Sequence, residues 1–257
     1  MFFEGTEGQL DSYLATQKRL MALPLDSDPD LLLDAAVQLA DIASILDEYM
    51  RYDEMLTIYM RVLDIRDTVL GTEDLQTVAT YHNIAWAYGS KGDYSMALEW
   101  SHKTLSAIEK IGSESFDLAT TYNNIAVIHC NLGNYDESLD WHNKALTIRE
   151  EALGKDHPDT ALIYDNLASV YKKLDEYDEA LNWFDKALLI REKILGTENT
   201  YTASTYNNMA GVYYKLGNRE KALEYYNKAL VVYEKNLGTD HPYTKIIREN
   251  IEITRRK

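Results

Sequence analysis

The feature that most constrains this chain is a spacing. Asn83, Asn124, Asn166, Asn208 and Asn250 follow one another at 41, 42, 42 and 42 residues, and Asp41 stands 42 before the first. Gly71, Gly112, Gly154, Gly196 and Gly238 repeat the same intervals. Two residue types sharing one period mark an internal repeat, and a repeat of this length is one supersecondary unit stacked on its neighbours. Five full units begin near Leu33, Gln76, Asp117, Asp159 and Tyr201, spanning 33–75, 76–116, 117–158, 159–200 and 201–242. Residues 1–32 precede them and 243–257 follow.

Inside a unit the pattern is helical. In the fourth, Leu162, Ile163, Leu167, Val170 and Leu174 recur at steps of three and four. After a break, Tyr177, Ala180, Leu181, Phe184, Ala187, Leu188 and Ile190 do the same, so each unit predicts two amphipathic helices. The break falls at Gly92, Gly133, Asp175 and Gly217, where a left-handed residue ends the first helix; Asp175 and Met50 depart from glycine there. Pro158 and Pro242 stand near the start of a following first helix, where a missing N–H costs little. Small residues line both helices: Ala43, Ala85, Ala126, Ala168 and Ala210 on the first; Ala97, Ser138, Ala180 and Ala222, then Thr104, Ala145, Ala187 and Ala229, on the second. A pair packed through small residues cannot bury both its faces alone, so pairs must stack. The expected fold is all-α, a right-handed solenoid of stacked helix-turn-helix repeats.

The order Tyr-x-x-x-Ala, Gly-x-Tyr-x-x-Ala and a later Ala resembles the tetratricopeptide repeat. The 42-residue length is similar to the kinesin-light-chain type, as are the strings Tyr206-Asn207-Asn208-Met209-Ala210 and Ala145 to Glu150 running on through Gly154-Lys155-Asp156-His157-Pro158. The resemblance covers residues 34–257 and speaks to fold more than to function. Residues 243–257 read as a polar capping helix, and Gln9 to Leu23 as a further helix stopped by Pro24, a cap or a degenerate half-repeat.

In the family resembled, first helices line a concave groove, and the recurring asparagine with its near neighbours faces the ligand. The resemblance therefore nominates Asn83, Asn124, Asn166 and Asn208, with Asn123 and Asn207 beside them, Trp86 as an apolar anchor, and Lys172, Lys173, Tyr214 and Lys215 near the helix ends. A carboxamide donates and accepts, so a row of them can hold an extended backbone of any sequence. The same row can equally brace one repeat on the next. The residues preceding the asparagines (His82, Asn123, Asp165, Asn207, Glu249) vary, as binding positions do. Kinesin-light-chain grooves that take acidic, tryptophan-bearing peptides are rich in basic residues; here only the three lysines stand at comparable places.

Charge is graded along the chain. Of 26 basic and 42 acidic residues, 5 and 16 lie in residues 1–75, leaving a net −11 there and −5 in the rest. Such a field can orient a peptide with one basic and one acidic end, or it is simply a solvated face. The acidic balance speaks against duplex nucleic acid and anionic membrane as partners. One cysteine, Cys130, excludes an internal disulfide, and no leader or spanning segment is evident, which points to the cytoplasm. Tyr81, Tyr122, Tyr164 and Tyr206, and Tyr52, Tyr94, Tyr135 and Tyr177, are expected in the core by their period. Trp100, Trp141 and Trp183 are expected between repeats, and His129 and His142 at packing positions.

No catalytic motif assembles: there is no phosphate-binding loop, no H-E-x-x-H pair, and no two histidines that pair with a Cys or carboxylate at ligand spacing. Cys130 has no evident activating base. The sequence thus predicts a non-enzymatic scaffold without cofactor or metal, taking a protein or extended peptide in its concave groove. A regulatory module of a larger effector and a self-associating scaffold are the alternatives.

Overall fold

The structure, a computed structural model, describes residues 14–112 and 118–256, and every regular element among them is an α-helix. Helix α1 covers residues 14–21. It is followed by α2 (Pro29–Glu48), α3 (Tyr52–Leu70), α4 (Leu75–Lys91), α5 (Tyr94–Ile111) and α6 (Leu118–Leu132), which form one compact unit, Met1–Leu132. A second unit, Gly133–Lys257, holds α7 (Tyr135–Leu153), α8 (Pro158–Lys173), α9 (Tyr177–Ile194), α10 (Thr200–Lys215), α11 (Arg219–Leu237) and α12 (Pro242–Arg256). In each unit consecutive helices pack as antiparallel neighbours: α2 through α6 in the first, α7 through α12 in the second. This is the stacked helix-pair architecture that the period requires. Of the expected Gln9–Leu23 helix, residues 9–13 lie outside the described residues; Leu20 of α1 is buried in the first unit's core.

The turns are set by backbone geometry. Gly92, Gly133 and Gly217 have φ of +87°, +83° and +77°, and Asp175 and Met50 adopt +61° and +56° without the freedom of glycine. Second helices end differently: Gly71, Gly154 and Gly238 sit near φ +87°, ψ +167°, a region closed to L side chains. The one 41-residue glycine interval arises in α5, which has 18 residues against 19 in α3 and α7, and its Gly112 turns at φ +60°, ψ +28° instead. Helix starts are capped by side-chain oxygens of Asp28, Asp74 and Asn199. His157 and His241 do the same with a ring nitrogen: each Nδ1 accepts from the backbone N–H two residues on, at 3.1 and 3.2 Å, just before the proline-led first turns of α8 and α12.

Every position of the small-residue columns is buried, from Ala43 to Ala210 on first helices and from Ala97 to Ala229 on second ones. Polar side chains then tie a second helix to the next first helix. Arg66 donates to the Gln76 carbonyl at 3.0 Å and to Thr80 Oγ1 at 2.9 Å; Arg191 donates to the Tyr201 carbonyl at 3.1 Å and to Thr205 Oγ1 at 2.5 Å. Tyr164 donates to Glu150 at 2.6 Å, Tyr206 likewise to Glu192, and Arg248 to Glu234 at 2.6 Å. Thr160, Thr202 and Thr244 each donate to the carbonyl of the turn glycine six residues earlier, at 2.8 Å.

The aromatics divide in two ways. Tyr81, Tyr164 and Tyr206 are buried as expected, with Tyr122 half-buried. Tyr52, Tyr94, Tyr135 and Tyr177 are only half-buried, because each is the first residue of its helix and lies at the rim of the pair. Trp100 and Trp183 have ring partners in their own repeat, Tyr81 and Tyr164 at 5.8 and 5.4 Å, and each also packs against a core drawn from more than one repeat. Lys103, Lys144 and Lys186 lie over Trp100, Trp141 and Trp183 at 4.5, 3.9 and 3.8 Å.

His142 is 1% exposed, at the position that Phe184 occupies one repeat later, and its Nδ1 has no hydrogen-bond partner. Burial depresses its pKa from 6.5 to about 3. The unfolded chain therefore holds one more proton than the folded one between those values, so stability is lost as pH falls below about 6.5. At pH 5 this costs about 2 kcal/mol relative to neutral pH. His142→Phe is expected to remove that dependence, shifting the acid-unfolding midpoint followed by circular dichroism to lower pH. Met50 is 70% exposed and left-handed, so Met50→Gly relieves strain while losing little burial. It should raise stability by about 0.5–1 kcal/mol, read from the urea midpoint.

Candidate peptide-binding faces

In the first unit, α2, α4 and α6 are successive first helices, and α4 and α6 carry the nominated residues. Asn83, Asn123 and Asn124 are half-buried. Asn124 Nδ2 lies 3.4 Å from His82 Nε2, bridging α6 to α4, so the carboxamide row has a bracing contact here. Trp86 is not buried. It is 53% exposed, and its indole Nε1–H donates to Asp47 Oδ2 on α2 at 3.4 Å. Val127, one repeat on, is exposed as well. An aromatic ring held at its edge by a carboxylate, beside carboxamides that can both donate and accept, can take an apolar side chain against its face and a backbone along its flank.

In the second unit the corresponding helices are α8, α10 and α12. By sequence Asp165 belongs with the variable ligand-facing positions, and the structure overturns that. It is 7% exposed; its Oδ1 accepts from Arg191 Nη1 at 3.1 Å and from Thr205 Oγ1 at 3.0 Å. Asn208 Nδ2 approaches its Oδ2 at 3.4 Å, the same cross-repeat relation as Asn124 to His82. Burial pushes the Asp165 carboxyl up, and the adjacent guanidinium opposes this. The sequence carried a signal for this network: Arg66 and Arg191 are each followed by a threonine 14 residues later.

Asn166, Asn207 and Tyr214 are half-buried, while Lys173 and Lys215 are exposed. Lys172 differs from the other two lysines: it is half-buried, with its ammonium over Gly211 of α10. Burial lowers its pKa, and the neighbouring charges of Lys173 and Lys215 add to the effect. Nearer the start of α10 a cavity of about 430 Å³ opens toward α12, lined by Tyr201, Ser204, Asn207, Tyr233, Tyr243 and Ile246 among others. Tyr201 and Tyr243 are well exposed at its mouth, and Asn207 Oδ1 is sealed in the wall without a partner. Among the described residues no three His, Cys, Asp or Glu side chains converge as a metal site, and no helix is long and apolar enough to cross a membrane.

The tetratricopeptide repeat family model matches residues 33–110, 117–193, 159–235 and 201–257. The chain belongs to the tetratricopeptide repeat family. Among solved structures, this tetratricopeptide repeat protein is similar to BtubC (BKLC) from P. vanneervenii, with 22% identity, 92% of this chain and 93% of that chain covered, and a TM-score of 0.71. A putative kinesin light chain with nearly identical TPR-like repeats from Podospora anserina gives 19%, 81%, 98% and 0.61. The thermophilic TPR protein TTC0263 from Thermus thermophilus gives 19%, 86%, 100% and 0.63. At these identities the likeness is one of fold, and it includes the kinesin-light-chain kind of repeat. No curated protein matches the chain.

Asp165 and Asn208 separate structural from surface roles. Asp165→Leu leaves the Arg191 guanidinium buried without its counter-charge and should cost about 3–5 kcal/mol in urea unfolding. Asn208→Leu breaks one long hydrogen bond and should cost under about 1 kcal/mol.

Proposed function

We propose that the chain is a non-catalytic scaffold whose first-helix faces take an extended peptide of a partner protein. The observation that carries the reading is Trp86. A ring that could have been buried stands more than half exposed in the asparagine-bearing helix, and its one hydrogen bond fixes it without covering it. Large aromatics held in this way act as anchors at protein interfaces. Asn83, Asn123 and Asn124 supply backbone partners beside the ring. In the second unit, Asn166, Asn207, Asn208 and Tyr214 supply a polar face, and Lys172, Lys173 and Lys215 favour an acidic segment. Membership of the tetratricopeptide repeat family supports a protein partner over a small substrate. The net charge of −16 supports a partner other than nucleic acid.

The test is a display selection of extended peptides against the whole chain, followed by affinity measurement on the selected peptides. Trp86→Ala is expected to weaken first-unit binders about 30-fold, the scale of an interface anchor, with the unfolding midpoint unchanged. Asn124→Leu should weaken them less. Selected peptides that bind Trp86→Ala, Asn124→Leu and Asn166→Leu/Asn208→Leu as tightly as the parent chain would remove the first-helix faces from the function.

A further inference from the structure

The second unit holds a positive charge that the fold does not answer. Lys172 lies in the last turn of α8, where a lysine ordinarily extends into water and favours the helix end. Its side chain instead crosses to α10, and its Nζ stands 3.0 Å from where a Cβ on Gly211 would be. The glycine thus makes room for the ammonium, and Tyr226 borders the same spot. Among the described residues Lys172 makes no hydrogen bond and no ion pair, whereas Lys228, Lys235 and Lys245 each reach a carboxylate. The negative charge that acts on it, Asp165, is already engaged by Arg191, Thr205 and Asn208. Lys173 and Lys215 add two further ammonium groups close enough to repel it.

With Asp165 balanced by Arg191, three positive charges remain here. A single carboxylate would answer one of them. A phosphate monoester carries about 1.5 to 2 negative charges at neutral pH and offers three strong acceptor oxygens. A partly buried ammonium also binds an anion more strongly than one in open water, because screening is weaker there. We propose that Lys172, Lys173 and Lys215, with Gly211 providing the space, form a binding site for a phosphate monoester. The site goes beyond the peptide reading, since the ester can belong to a phosphorylated side chain of a partner or to a free metabolite.

The experiment is calorimetric titration of the whole chain at about 150 mM salt, near physiological ionic strength, with three probes: N-acetyl-phosphoserine amide, N-acetyl-glutamate amide and inorganic phosphate. The phosphoserine probe is expected to bind at least about 10-fold tighter than the glutamate probe, the margin of one additional charge-assisted hydrogen bond. Phosphoserine binding clearly above inorganic phosphate would favour a phosphorylated side chain, and equal binding would show that the phosphate group alone is read, as a small metabolite allows. Lys172→Met should lower phosphoserine affinity by about 10-fold or more. Its unfolding midpoint should be unchanged or higher, since a buried charge is removed, which separates loss of a site from loss of the fold. Gly211→Ala, which displaces the ammonium, should weaken binding, and Lys18→Met in the first unit should not. Equal affinity for phosphoserine and glutamate, unchanged binding by Lys172→Met, or no binding at that salt concentration would each overturn the proposal. None of these results bears on Trp86, so the peptide reading of the first unit stands or falls separately.

Discussion

The structure depends on how closely its helices approach. Where Ala168 and Ala180, and Ala210 and Ala222, lie fully buried in one core, the absence of larger side chains lets backbones come together, and the flanking Leu, Ile and aromatic side chains close around them. A contact of that kind is narrow, so each helix keeps a second apolar stripe that only the next pair can cover. Stacking is therefore the condition under which the pair folds, and stability accumulates by neighbours.

Burial alone would let adjacent pairs slide. The Arg66 and Arg191 clamps, the tyrosine-to-glutamate rungs and the threonine-to-glycine contacts remove that freedom, because each fixes one side chain of a helix to one group on the next. They also leave part of the first-helix surface uncovered, beside the cross-repeat contacts of Asn124 and Asp165. Trp86, Val127, Lys173 and Lys215 are exposed there while the register is held elsewhere. A scaffold of this design can change its exposed ligand-facing residues, though not Asp165, without changing how its repeats fit.

The fold was legible in the sequence because its causes are local and repeated: small residues at a fixed spacing, glycines at the turns, apolar positions at helical steps. Even the departures were readable, since Asp175 and Met50 adopt the left-handed conformation required of the glycines they replace. The site was less legible. Period identifies equal heights along a stack, but it does not say whether a polar residue at that height points inward. Asp165 occupies a position that varies between repeats, yet it is buried on an arginine 26 residues away. Lys172 and Lys173 are adjacent and identical in the sequence, but they point to different sides of α8, and only Lys172 lies over the glycine on α10.

The shortened α5 has a consequence of a different kind. Ending a residue early, it carries Ile108, fully enclosed, at the place where α3 and α9 carry their clamping arginines. That junction trades a buried guanidinium and its hydrogen bonds for apolar contact. Apolar contact weakens on cooling, whereas the desolvation cost of a buried charge falls on heating. The repeat stack therefore combines attachments with opposite thermal habits, and the order in which its junctions loosen in the cold need not be the order in which they loosen in the heat.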